Sequence, residues 1–439
     1  MHYICHTVNF DIESAGQISS AARRRPTPLK KETQSAMNKP ADEQNLDAAP
    51  VEGKITDEAV AAARKMIGMQ LRPEGPYLQD ATIDTIRNFC NGIGDLNPLY
   101  RDAEYGRTSR YGSVIAHPMF PMAYGWLGRT RWGLPGVHGF YAGNDWELFR
   151  HVKPGDRITA IERVVGVEEK SSKFSGRLVI QYVEAEFADQ RDELVARVLG
   201  WCTRHERRAA REKGKYKDVK KHEYTGEELD AIDAAVLNED KNICGRNIRY
   251  WEDVNEGEAL PPIVRGPLSL MDTMGFLVGC GRGHTHGVLL KGAVRHPGHF
   301  FRNPEAGGGV EYTGIGHHRE SIAKEVGVPG TYDYGPQRSA WLASLVTNWM
   351  GDAGILKRIR TELRLFNTMG DTTWCKGKVK KKYVKDGYAL VELEIWAENQ
   401  RGEVTAPNGS ATVILPSRDV KTRVCRDGAG LDLGCARFA

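Results

Sequence analysis

The stretch "GIGDLNPLY", residues 92–100, sets a carboxylate (Asp95), an amide (Asn97) and a phenol (Tyr100) into one turn. A carboxylate placed there can be one half of an acid/base pair, or it can satisfy its own backbone amides as a turn residue. Both readings stand at this level. An imidazole to complete a pair is not adjacent: the next histidine along the chain is His117, in "IAHPM", and a structural histidine is the alternative for it. Histidines concentrate instead in the second half, where His284, His286, His296, His299, His317 and His318 account for six of the 13. Of these, His317 and His318 in "GIGHHRE" are candidate bases, with Glu320, Glu311, Asp272 and Asp333 as possible acid partners. "PGTYDYGPQRSAW" adds Tyr334, Gly335 and Arg338 ahead of an apolar stripe. Amides at such a helix start can receive a carbonyl oxygen or a phosphate, although Gly-Pro is also an ordinary way to begin a helix.

The elements that must position these groups occur twice. "ATIDTIRNFCNGI" puts Ile83, Ile86, Phe89, Cys90 and Ile93 at helical spacing, ending at Gly94 and Asp95. "HVKPGDRITAIERVVGVEE" and the alternating run after it read as antiparallel strands joined by hairpins. In the second half "QRSAWLASLVTNWMGD" lines up Trp341, Leu342, Leu345, Val346, Trp349 and Met350 on one side, followed by a second strand set. Gly155-Asp156 answers Gly370-Asp371, and "ADQRDE" answers "ENQRGE"; 34 positions separate Asp156 from Gln190 and 29 separate Asp371 from Gln400. An internal duplication accounts for this order. The expectation is an α+β protein in which each half lays one long core helix against a mostly antiparallel sheet. Its organisation would be a loosely ordered tail (1–57), a first domain (58–205), a charged linker (206–248), a second domain (249–418) and a tail (419–439).

"FCNGIGDLNPLYRDAEYGRTSRYGSVIAHPMF", residues 89–120, resembles the hydratase signature of the MaoC-like acyl dehydratases, a family that includes type 2 enoyl-CoA hydratases and fused double-hotdog members. Gly94, Asp95, Asn97, Pro98, Asp102, Tyr111, Gly112, Ile115, Ala116 and His117 stand at the corresponding steps. The resemblance implies a double hotdog that adds water to a 2-enoyl-CoA thioester or removes it from a 3-hydroxyacyl-CoA. It implies a carboxylate and an imidazole flanking one water, with helix-terminal amides on the thioester carbonyl. The family's histidine falls at Tyr100, and phenol is a poor base near neutrality. In the second half Tyr312 stands five residues before His317, where an aspartate would be expected, and an insertion over about 283–311 disturbs the spacing. The acid/base pair is therefore expected in the second half around His317 or His318, or between the halves with Asp95. Asn97, Tyr100, His117, His286, Tyr334, Gly335 and Arg338 are then substrate-binding candidates. A non-catalytic acyl-thioester binder, or a half-enzyme needing a partner subunit, is the alternative.

A formal charge of +4 and the absence of an aromatic-interleaved basic groove argue against a nucleic-acid partner. No run is long and apolar enough for a membrane span, and eight scattered cysteines without a CxxC pair suit a reducing compartment, so a cytoplasmic location is expected. His-x-His at 284/286 and His-x2-His at 296/299 do not fix a tetrahedron, so no metal is expected. Without a GxGxxG after a strand no nucleotide cofactor is expected; coenzyme A would enter only as part of the substrate. A homodimer, or only the pseudo-dimer of the two halves, is the expected assembly. Lys376, Lys378, Lys380 and Lys382 at period two read as a solvated strand face.

Overall fold

The structure is a computed structural model. It describes residues 53–71, 78–125, 133–172, 176–207, 219–283, 285–295, 300–420, 425–427 and 430–432. The expected tail before residue 53 and His284, His296 and His299 lie outside the described residues.

Nine antiparallel strands form one continuous sheet. The first half contributes β1 (His138–Leu148), β2 (Thr159–Ser172), β3 (Gly176–Ala188) and β4 (Leu194–His205). The second half contributes β5 (Ala259–Arg265), β6 (Ile355–Glu362), β7 (Thr373–Lys385), β8 (Tyr388–Asn399) and β9 (Val404–Ile414). Their spatial order is β2-β3-β4-β1-β6-β9-β8-β7-β5. The halves meet where β1 pairs with β6, Asp145 opposite Arg360, and Arg358 braces the seam with two hydrogen bonds to Asp145 (2.8 and 2.6 Å).

Helix α1 (Ile83–Ile93) packs against helix α2 (Leu270–Gly279), and helix α3 (Gly335–Met350) lies against this sheet. Reciprocal capping boxes start α1 (Thr82 with Thr85) and α2 (Ser269 with Asp272). The two helices cross at glycines. A Cβ on Gly92 would lie 2.6 Å from the Gly275 carbonyl oxygen, and one on Gly279 would lie 2.7 Å from that of Asn88. Residues 92 and 88 stand to 279 and 275 at one constant offset, so the contact is two-fold in character.

The same main-chain bonds recur in both halves. Gly155 N–H donates to Ala81 O as Gly370 N–H does to Leu268 O (2.8 and 2.7 Å), and Ala81 N–H donates to Asp156 O as Leu268 N–H does to Asp371 O (2.8 Å each). Gln190 Oε1 accepts from Arg157 N–H as Gln400 Oε1 does from Thr372 N–H (2.9 Å each). The duplicated Gly-Asp and Gln-Arg signals are thus the pins that tie each helix entry to its own hairpin.

Among the described residues the expected long core helix is seen in the second half as α3, which is buried on every side from Pro336 to Met350, not along one stripe. In the first half the chain after His117 makes a 3-10 turn over Phe120–Ala123, and residues 126–132 lie outside the described set. Pro121 supplies the reason: it has no N–H to bond back to the His117 carbonyl, which instead accepts from Phe120 N–H (2.8 Å). A single apolar core spans both halves, joining Ile86, Phe89 and Trp146 to Trp341, Leu345 and Ile359.

Candidate functional site

At the C-terminal end of α1, Gly94 takes the left-handed conformation (φ 68°), and Asp95 N–H bonds back to Cys90 O (2.9 Å). The turn aims the Asp95 carboxylate inward. Its Oδ1 accepts from Asn97 N–H (2.8 Å), and Asn97 Oδ1 in turn accepts from Leu99 N–H (3.1 Å). Oδ2 accepts from Ser344 Oγ (2.6 Å), a hydroxyl supplied by α3 of the other half. His117 Nε2 lies 3.3 Å from the same Ser344 oxygen and 3.7 Å from Asp95 Oδ2. One Asp95 oxygen thus holds the turn, and the other faces a hydroxyl and an imidazole.

Met119 N–H donates to His117 Nδ1 (3.2 Å), so the proton of the neutral ring sits on Nε2, facing Ser344 and Asp95. Burial pushes this imidazole down to about 4, with the Asp95 charge opposing the shift, and the ring is neutral at pH 7. The trio is not a serine nucleophile with its base, because Nε2 carries the proton that such a base must lack. Tyr100 is buried edge-on to His117 with ring centroids 5.5 Å apart, and burial holds its phenol well above the ordinary value. Arg101 donates to Asp95 O (2.9 Å) and Arg265, paired with the Glu239 carboxylate (2.6 Å), donates to Ile93 O (3.3 Å), so cations close the carbonyl end of α1. Asp95, Ser344 and His117 are all buried; a cavity lined by His117, Pro118, Leu148, His151, Val152 and Leu356 lies beside the imidazole.

The remaining candidates gather elsewhere or stand apart. His317 stacks on Tyr334 (3.9 Å) with Nδ1 3.0 Å from Tyr332 O, and His318 Nε2 approaches the Tyr334 hydroxyl (3.5 Å), itself 3.3 Å from that of Tyr312. Burial pushes His317 to about 3 and His318 to about 4. Tyr334 caps the start of α3 and Ser344 follows ten residues later, about 15 Å along the axis. The structure therefore does not bring His317 or His318 to Asp95. Glu320 is exposed and paired with Lys324, and His286 is exposed. Arg338 is buried in a two-bonded pair with Asp333, and Gly335 is pressed against Tyr141 and Leu363.

The second half has a counterpart of the site. Arg282 N–H bonds to Leu277 O (2.7 Å) after left-handed Gly281 (φ 69°), repeating Asp95 after Gly94. Asp333 N–H bonds to Asn367 O as Ala116 N–H does to Val152 O (3.0 and 2.8 Å), which makes Tyr334 the counterpart of His117. Asp95 and His117 thus face Arg282 and Tyr334 across the pseudo-symmetry. Sequence reasoning missed Ser344 and this pairing; the Gly-x-Gly shared by residues 92–94 and 279–281 was the available signal for the pairing. Among the described residues no cluster of His, Cys, Asp and Glu could hold a metal ion, and no helix is long and apolar enough to cross a membrane.

Residues 66–198 match the family model described as the FAS1-like dehydratase domain region. A protein of Streptomyces avermitilis named only "UPF0336 protein" is 27% identical over 146 residues, 32% of this chain and 93% of that one. A protein of the same name from Thermobifida fusca is 38% identical over 63 residues, 14% of this chain and 40% of that one. Among solved structures, a "MaoC-like dehydratase" superposes with a TM-score of 0.57 at 16% identity, covering 81% of this chain and all of that one. The Mycobacterium tuberculosis protein Rv0216, described as having a double hotdog fold, gives 0.49 at 11% identity over 80% of this chain and 96% of its own. The fold is a double hotdog, and within it residues 66–198 of the first half are similar to the FAS1-like dehydratase domain region.

Proposed function

We propose that the chain is a hydro-lyase that adds water to a 2-enoyl thioester, or removes it from the 3-hydroxyacyl thioester, with its acid/base chemistry at Asp95. The observation that carries this reading is the buried contact of Asp95 Oδ2 with Ser344 Oγ and the neighbouring His117 Nε2. In hydration, Asp95 takes a proton from water as the oxygen bonds to the β-carbon. The same carboxyl then delivers a proton to the α-carbon of the resulting enolate and returns to its charged form. His117, fixed as an Nε2–H donor, orients the water, and Ser344 holds Oδ2 in place. The family's histidine position is filled by Tyr100, whose buried phenol stays protonated, so a single carboxyl must perform both transfers.

A second reading, an acyl-thioester binder without turnover, is favoured by the complete burial of the trio. Assay of the full chain against 2-enoyl-CoA esters of graded length separates the two. Turnover lost in Asp95→Asn supports the hydro-lyase; tight acyl-CoA binding without turnover on any ester supports the binder.

A further inference from the structure

Behind Asp95, the carbonyl end of α1 is closed by a cation that reaches it from the second half. Arg265, the last residue of β5, lays its Nε edge against α1: it donates to Ile93 O (3.3 Å), and a Cβ on Gly94 would lie 3.4 Å from that nitrogen. The forked end of the guanidinium is taken by Glu239, whose two carboxylate oxygens accept at 2.6 and 3.0 Å. The pair is sealed from water, the two side chains being 9% and 3% exposed. Glu239 belongs to the linker between the halves, where it opens a 3-10 turn over Glu239–Asn242. Asn348 of α3 donates to its Oε1 (3.3 Å), one turn beyond Ser344, the hydroxyl that holds Asp95 Oδ2. Linker, β5, α1 and α3 therefore meet behind one carboxylate.

The pseudo-symmetry shows the same step without a carboxylate in the turn. Ala81 and Leu268 make equivalent main-chain bonds in the two halves. Three residues before Leu268 stands Arg265; three before Ala81 stands Leu78, packed against the main core. The turn that answers Asp95 presents Arg282. An arginine thus backs the carboxylate, and a leucine occupies the matching step where the turn presents a guanidinium. The shared frame accepts an apolar residue here, so folding alone does not call for a buried cation. A buried ion pair also adds little net stability over apolar side chains of similar size. The charges agree with the placement: burial, and then Arg265, hold the His117 imidazole down to about 4 against the Asp95 charge.

We infer that Arg265, fixed by Glu239 of the linker, is a positioning residue for Asp95: it pins the end of α1 so that the carboxylate faces Ser344 and His117, and it sets a permanent positive charge behind the reacting group. The inference rests on the hydro-lyase reading for the proton transfers and on the contacts alone for the placement. Arg265 acts through Asp95 and its turn, not on the thioester. The linker, on this assignment, is part of the site and not only a tether between the halves.

The test removes both charges together in the full chain, as Arg265→Leu/Glu239→Leu, which copies the leucine at 78. The urea midpoint should stay close to wild type, since a buried pair exchanged whole for apolar side chains is well tolerated. In 2-enoyl-CoA hydration kcat should fall roughly tenfold to a hundredfold, the cost of a misplaced reacting group, with KM little changed. Arg265→Lys, which keeps the charge, should retain most of kcat. Unchanged kcat in the double variant, or a rise in KM alone, overturns the role. So does Arg265→Lys as slow as the double variant. Failure of the double variant to fold would show that the frame itself needs the pair, and would overturn it too. Ring resonances of His117 in histidine-labelled protein give a readout that needs no turnover: its titration midpoint should rise above about 4 in the double variant and stay in place in Lys378→Gln, on a distant strand. An unmoved midpoint in the double variant overturns the placement of the charge. A wild-type chain that turns over no ester sinks the hydro-lyase reading alone, and the His117 titration then decides on Arg265.

Discussion

The two halves share one hydrogen-bonded frame and differ in what they place inside it. Gly94 and Gly281 make the same left-handed turn, yet one presents the Asp95 carboxylate and the other the Arg282 guanidinium. His117 and Tyr334 follow the same main-chain bond, yet one ring has a carboxylate 3.7 Å away while the other stacks on His317. A duplicated scaffold therefore does not yield duplicated chemistry. The frame is held by backbone and turn side chains, which leaves the residues inside it free to diverge.

The sharpest way to break this comparison is Asp95→Asn, expected to lower kcat for 2-enoyl-CoA hydration roughly 10²–10⁴-fold. The matching change in the other half, Arg282→Gln, should leave kcat much closer to wild type. Equal losses would show that the halves are functionally equivalent after all. His117→Gln should cost about a hundredfold, as expected for one donor aimed at the reacting water, while Tyr334→Phe, assayed in parallel, changes kcat little. On stability, Gly92→Ala and Gly279→Ala each force a Cβ into the opposite helix backbone and should each cost about 1–3 kcal/mol by chemical denaturation. Similar values for the two would sharpen the two-fold character of that contact; a cost at only one of them would break it.

Acid supplies a graded test. His117, His205 and His318 are held down to about 4 and His151 and His317 to about 3, all from 6.5. As pH falls below about 6.5 the unfolded chain binds protons that the folded chain refuses, so stability is full above that value and falls through the window down to about 3–4. The urea midpoint should drop from pH 7.5 to pH 5, and both His117→Gln and His317→Gln should flatten the slope. The smallest effect belongs to the strand surface: Lys378→Ala removes a cross-strand pair with Glu394 (3.2 Å) and should cost less than about 1 kcal/mol by thermal melting. The period-two reading of those lysines holds for Lys376 and Lys378. A register shift then carries Lys382 off the face to cap the Trp251 and Val254 carbonyls (2.7 Å each).

The sequence by itself determined the frame. Apolar spacing placed α1 and α3, alternation fixed the strands, and the paired Gly-Asp and Gln-Arg turns announced the duplication, because each of these is decided by neighbours a few residues apart. It also marked Asp95 as the group worth following, and it read the loss of the expected histidine at Tyr100. Only the tertiary structure decided what stands beside that carboxylate. Ser344 is 249 positions away and reaches Asp95 because α3 of one half packs against the turn of the other. No local spacing carries that information, since the contact is set by how two halves close on a shared core. The same closure draws His317 and His318 toward the start of α3 and away from Asp95, whatever their attraction as a histidine pair in the sequence.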